Sequence, residues 1–155
     1  MKRILGIDPG LANTGWAVVH GSTVIDCGVI TTKASQQRDA RLLHIYEELE
    51  SIIDKHDMFR QHIANERLPY SAKMNSASSI GEVIGVIGLL SAFFQMYRFE
   101  YSPMAAKKSA VGSGKATKEE MIQAARDAGW QGGLKEHSAD AIAIAFLHQR
   151  EQGWS

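Results

Sequence analysis

The chain has 155 residues, 45% apolar and 22% charged, with 17 basic against 17 acidic side chains and a formal net charge of zero. That length predicts one domain, residues 1–155, able to bury a real core, and the neutral balance names no partner by bulk charge. The single cysteine, Cys27, excludes an internal disulfide, and no CxxC or HxxxH pair offers a structural zinc site, so a reducing cytoplasm is the natural compartment.

The elements alternate between strands and helices. "RILGID" has the continuous apolar character of a strand covered on both faces; "TGWAVVH" and "TVIDCGVITT" are β-branched runs joined by a tight His20-Gly21-Ser22 turn. Asp8 cuts the apolar run behind Met1-Lys2-Arg3 after four residues, too short for the apolar region of a signal peptide. From Asp39 to His56, apolar residues at helical spacing with Arg and Glu opposite predict an amphipathic helix. "HIANE" is a short strand ending in Glu66, "SASSIGEVIGVIGLLSAFFQMY" a long helix, and "FEYS" a further strand. Three helices follow, about Met104 to Ala110, Lys118 to Ala128 and Ser138 to Gln149. The longest apolar stretch, Val83 to Phe94, falls short of the roughly 20 residues that span a bilayer, so no membrane partner is expected. The order βββαβαβααα predicts an α/β fold: a five-stranded mixed sheet with helices on both faces, its first, fourth and fifth strands parallel by right-handed crossover.

Asp8 stands at the carboxyl end of the first strand, where such sheets bind ligands, and a Pro-Gly turn follows it. Asp, Pro and Gly are also ordinary turn residues, so Asp8 alone fits a turn cap equally well. Glu66 ends the fourth strand, the expected neighbour of the first, and brings a second carboxylate to the same edge. In "KEHSADAIAIAF", Asp140 opens an Ala- and Ile-rich helix and His137 precedes it by three residues, so one turn presents both on one face. Taken singly, Asp140 is a helix N-terminal acid and His137 a loop histidine. Together with two strand-end acids they make an oxygen-rich cluster suited to a hard ion such as Mg²⁺ or Mn²⁺.

With these residues in view, "GIDPG…TG", the strand-end Glu66, "FEYS", "KKSAVGSGKATKEEM" and "HSADAIAIAF" together resemble the RuvC-type Holliday-junction resolvases of the RNase H-like nuclease superfamily, in order over nearly the whole chain. The first motif is shared with actin-like ATPases and sugar kinases, which need a second such domain that this length does not hold. The resemblance implies an RNase H-like fold and a homodimer cutting opposing strands of a four-way DNA junction. It also implies two Mg²⁺ ions per site, with Mn²⁺ as a substitute, bound by Asp8, Glu66, His137 and Asp140. Many members carry Asp where this chain has His137, whose Nε2 binds metal when neutral but adds no negative charge. A paired-metal hydrolysis needs the ions roughly 3.5–4 Å apart, with Lys118 offsetting charge on the phosphorane.

The segment Arg98 to Lys118 holds five basic residues (Arg98, Lys107, Lys108, Lys115, Lys118) and one acid, Glu100, a net of +4 that reads as a phosphate track. By resemblance, Lys107 and Lys118 lie near the cut phosphate, and Tyr70, in the loop that also carries Lys73, is the aromatic that meets bases at the junction centre. The helix from Ile80 to Phe94 is apolar all round, with Gly81, Gly85, Gly88 and Ala92 on one side; it reads as a core helix or as the dimer element. The alternatives are a nuclease acting on other branched DNA (forks, flaps, Y-junctions) and a junction-binding module with weak catalysis. A bacterial cell and a phage-infected host suit the chain equally, and no helicase partner is named by the sequence.

Overall fold

The computed structural model describes residues 2–70 and 73–154. Ten elements follow in order: β1 (Arg3–Asp8), β2 (Asn13–His20), β3 (Thr23–Thr31), α1 (Arg38–Lys55), β4 (His62–Glu66), α2 (Met74–Phe93), β5 (Tyr97–Tyr101), α3 (Pro103–Val111), α4 (Lys118–Asp127) and α5 (Glu136–Glu151). The strands form one sheet in the order β3-β2-β1-β4-β5. β1, β2 and β3 make an antiparallel meander, whereas β4 runs parallel to β1 and β5 parallel to β4.

Period-two alternation divides the sheet into two apolar layers. Leu5, Ile7, Val18 and Ile63 face α1 and α2, where Ile45, Leu49, Ile53, Val83, Ile87 and Leu90 cover them. Ile4, Ala17, Val19 and Ala64 face the alanine-rich α5, with α3 and α4 outside it. The small side chains let α5 lie close on the sheet. A Cβ at Gly6 of β1 would overlap the carbonyl of Ala141, so only glycine fits there.

Local signals fix the helix starts. Ser102 accepts a hydrogen bond from the amide of Ala105, with Pro103 in the first helical turn, and Thr117 and Glu120 form a reciprocal capping box on α4. In α5 the buried Ser138 hydroxyl accepts from the Lys135 amide and donates to the Lys135 carbonyl. Further along α5, His148 pairs through Nε2 with Nδ1 of His62 at 2.9 Å and through Nδ1 with the Tyr101 hydroxyl at 2.7 Å. Burial keeps both imidazoles neutral, pushing His148 down to about 4. These contacts tie α5 to β4 and β5 as well as to β1.

Two boundaries differ from the sequence reading. β5 starts at Tyr97 rather than Phe99, because Tyr97 continues the ladder opposite His62. α2 starts at Met74, two residues early, and ends at Phe93 rather than Tyr97, which belongs to β5. Its 20 residues are long and apolar enough by length and composition to cross a bilayer, but Val83, Ile87 and Leu90 pack into the core against the sheet.

Candidate metal centre and its basic surround

Asp8 is the last residue of β1 and, like Ile4 and Gly6, belongs to the α5 side of the sheet. The turn behind it is pinned by the Thr14 hydroxyl, which donates to the Gly10 carbonyl at 2.6 Å. Glu66 is the last residue of β4, the parallel neighbour, in step with Ala64 on the same side. The first turn of α5 supplies His137 and Asp140. What brings that turn down is Gly15 of β2, directly opposite Asp8 in the ladder: a Cβ there would overlap the His137 carbonyl. The sequence reading took Thr14-Gly15 only as the end of the "GIDPG…TG" motif and the start of a strand, and missed this role. A glycine inside a β-branched strand was the available signal of close backbone approach.

His137 Nδ1 stands 2.8 Å from Asp8 Oδ2. The nitrogen turned to the carboxylate is Nδ1. The ligand atoms of Asp8, His137 and Asp140 lie within 4.8 Å of one another. Glu66 lies outside this trio but close enough to Asp8 and Asp140 for their charges to act on its carboxyl. Burial and then the Asp8 charge push Glu66 well above the usual carboxylate range and Asp140 up to about 7, with Lys107 pulling both down. The hydrogen bond to Asp8 raises His137 above its ordinary value. Three crowded carboxyls and an imidazole, with Glu66 and Asp140 raised by burial and by neighbouring negative charge, are a donor set that a hard divalent cation would satisfy, and they fit Mg²⁺ or Mn²⁺.

The basic residues divide. Lys107, on α3, acts electrostatically on Glu66 and Asp140. Lys118 opens α4 and pairs with Glu136 at 3.4 Å, one residue before His137. Lys73, Lys108 and Lys115 are exposed. Arg98 leaves the expected track: strand alternation turns it to the α2 side, where it pairs with Glu100 at 3.1 Å. Counting charge along the chain ignored that alternation, and the +4 segment is not one surface. Tyr70 is 95% exposed, with the Arg67 guanidinium 5.5 Å from its ring centroid; residues 71 and 72 of the same loop lie outside the described residues. On α2, Val83, Ile87 and Leu90 are buried, whereas Leu89 is 62% and Phe93 67% exposed, and a Cβ at Gly81 or Gly85 would meet open space. Part of the helix read as apolar all round thus presents an apolar strip outward.

A β3-β2-β1-β4-β5 sheet with acids at the ends of β1 and β4 and on the covering helix defines an RNase H-like nuclease fold. Residues 4–148 match the family model for crossover junction endodeoxyribonuclease RuvC, and the chain belongs to that family. It is 36% identical to the crossover junction endodeoxyribonuclease RuvC of Caldicellulosiruptor saccharolyticus, covering 94% of this chain and 91% of that one. The RuvC of Prochlorococcus marinus is 33% identical over 99% of both. Among solved structures, Thermus thermophilus RuvC in complex with a Holliday junction substrate shares the fold, with a TM-score of 0.84 over 99% of this chain and 98% of that chain at 24% identity.

Proposed function

We propose that this endodeoxyribonuclease resolves four-way DNA junctions by paired hydrolysis of opposed strands, with Asp8, Glu66, His137 and Asp140 as its metal centre. The observation that carries the reading is the convergence of Asp8, His137 and Asp140 ligand atoms within 4.8 Å, with Glu66 at the end of the neighbouring strand, in a chain of this family. Divalent ions bound there supply Lewis-acid activation of the attacking water and stabilisation of the leaving oxygen.

The remaining roles belong to the chain's own groups. Asp8, central to the cluster, would hold cations together with His137 and Asp140, and Glu66 would orient the attacking water. Cations held there would compete with the His137–Asp8 hydrogen bond and with protons on the buried carboxyls, so the centre would load more readily as the pH rises. Lys107 faces the phosphate side of Glu66 and Asp140, and Lys118 lies beside the His137 turn. Lys73, Lys108 and Lys115 contact backbone phosphates, while the projecting Tyr70 meets the bases at the junction centre.

Two centres are needed for paired cuts, and the outward strip of α2 around Gly85 and Leu89 is the two-fold interface. Such a dimer works on DNA in the cytoplasm of a bacterial cell or of a phage-infected host. The test is a panel of labelled substrates (four-way junction, fork, flap, Y-junction, linear duplex) incubated with Mg²⁺, Mn²⁺ or EDTA. Symmetric incisions in the junction, dependent on metal and scarce in the duplex, are expected. Intact junctions under every metal condition would defeat the reading, and equal cutting of forks and flaps would widen the substrate class.

A further inference from the structure

Beside Glu66 on β4 stands a side chain the chemistry above does not use. Asn65 has no exposed surface, and it shares with Ile63 the side of the sheet that faces α2. A carboxamide buried there without partners is costly, so an apolar residue would serve packing better. Its partners are specific. Nδ2 donates to the main-chain carbonyl of Glu66 at 2.8 Å and approaches Glu100 Oε2 at 3.5 Å, and Oδ1 accepts from Arg98 Nη1 at 3.4 Å. Arg98 in turn pairs with Glu100 at 3.1 Å, and it reaches across beneath α2 at Gly88, where a Cβ would stand 3.9 Å from the guanidinium carbon.

The strand register says why this matters. The β1–β4 ladder runs from Ile4 opposite His62 to Ile7 opposite Asn65, and stops there. Glu66 is paired only on its other side, with Tyr101 of β5. The acid-bearing end of β4 therefore lacks a ladder partner toward β1, the strand that carries Asp8. We propose that Asn65 is a positioning residue for Glu66. Its carboxamide, oriented by the Arg98–Glu100 pair, holds the Glu66 carbonyl from the opposite side of the sheet and so sets the direction in which the Glu66 carboxyl leaves the strand. Asn65 touches neither DNA nor metal.

The inference rests on Glu66 belonging to the metal centre, and the experiment separates the two. Single-turnover cleavage of a labelled four-way junction is measured across a Mg²⁺ series for the wild type and for Asn65→Leu, Asn65→Asp, Arg98→Met and Glu66→Gln, beside junction affinity in EDTA and thermal melts. Asn65→Leu fills the space without a donor; Asn65→Asp keeps the shape and the Arg98 contact but cannot donate to the Glu66 carbonyl. Both are expected to cut at least about tenfold more slowly, the scale of a small displacement at a reacting centre, with unchanged junction affinity and a higher half-saturating Mg²⁺ concentration. Arg98→Met should shift both readouts in the same direction by less. A loss of stability alone would lower the melting temperature without moving the metal response of the folded enzyme. An inactive Glu66→Gln beside Asn65→Asp and Asn65→Leu variants with wild-type rates and Mg²⁺ response overturns the positioning role alone. A Glu66→Gln that cuts normally removes Glu66 from the centre and the positioning role with it.

Discussion

Asp8 and His137, 129 residues apart in the chain, meet at 2.8 Å, Oδ2 to Nδ1, where the first strand ends and the last helix begins. This contact ties the end of β1 to the first turn of α5, so the imidazole partners the Asp8 carboxylate as well as being a proposed ligand. His137→Ala should therefore cut junctions at least about tenfold more slowly at fixed Mg²⁺, the scale of losing support around a metal site. His137→Asp restores a charged oxygen donor and should stay active, with its optimum moved toward Mg²⁺ over Mn²⁺. Metal titrations of cleavage decide it; a His137→Ala enzyme working at the wild-type rate would reduce His137 to a loop histidine.

Gly15→Ala probes the packing that brings His137 to Asp8. The new Cβ meets main-chain atoms of His137, which cannot rotate away, so the first turn of α5 must lift. A loss of about 1–3 kcal/mol in urea denaturation is expected, together with weaker metal binding than Gly21→Ala, a turn control away from the centre. Equal metal affinity in both variants would show that α5 is positioned by other contacts.

Titration of the carboxyls gives a signed pH dependence. In EDTA the folded protein keeps protons on Asp140 up to about 7, against 3.8 in the unfolded chain, and Glu66 is raised from 4.5 in the same sense. A raised acid favours the folded state less as the pH climbs, so between about pH 4 and 7 these groups draw stability down. Raised His137 adds stability below 6.5 that is lost as the pH rises through its folded value, the same direction. His148, held down to about 4, works oppositely below pH 6.5, so the informative quantity is the wild type minus Asp140→Asn. That difference should fall as pH rises in EDTA, and the stabilisation conferred by Mg²⁺ on the wild type should grow. Thermal melts at pH 5 to 8 check it; an Mg²⁺ effect of the same size at pH 5 and pH 8 would contradict it.

How far the sequence alone reaches is clear from particular residues. Asp8 and Glu66 were legible because an acid closing an apolar strand is rare and both strands are parallel neighbours. His137 and Asp140 were legible from a one-turn spacing ahead of an alanine-rich helix. Gly15 and Asn65 were not, since their roles exist only through backbone atoms of partners met in the folded chain. Arg98 was misread for a related reason: proximity in sequence to Lys107 says nothing of which side of β5 it occupies.

The α2 strip bears on assembly. Gly85→Glu would place two like charges at the centre of the proposed two-fold contact, where an unpaired buried charge costs about 3–5 kcal/mol. In a single chain that position faces open space, so the fold itself should survive. Sedimentation over a concentration series should show the variant as a monomer, and a cruciform plasmid should be nicked by it but not linearised. A wild-type monomer that linearises the plasmid within one binding event would contradict the dimer.

Asp8→Asn tests the metal centre most directly, because it removes the carboxylate paired with His137 while leaving every lysine and Tyr70 in place. One preparation is assayed twice on the same labelled four-way junction, by gel shift in EDTA and by incision in Mg²⁺ and Mn²⁺. Junction affinity within a few-fold of wild type, with incision abolished in both metals, is the expected result. Near-normal cutting by the Asn variant would contradict the assignment of Asp8, and with it the centre built around that residue.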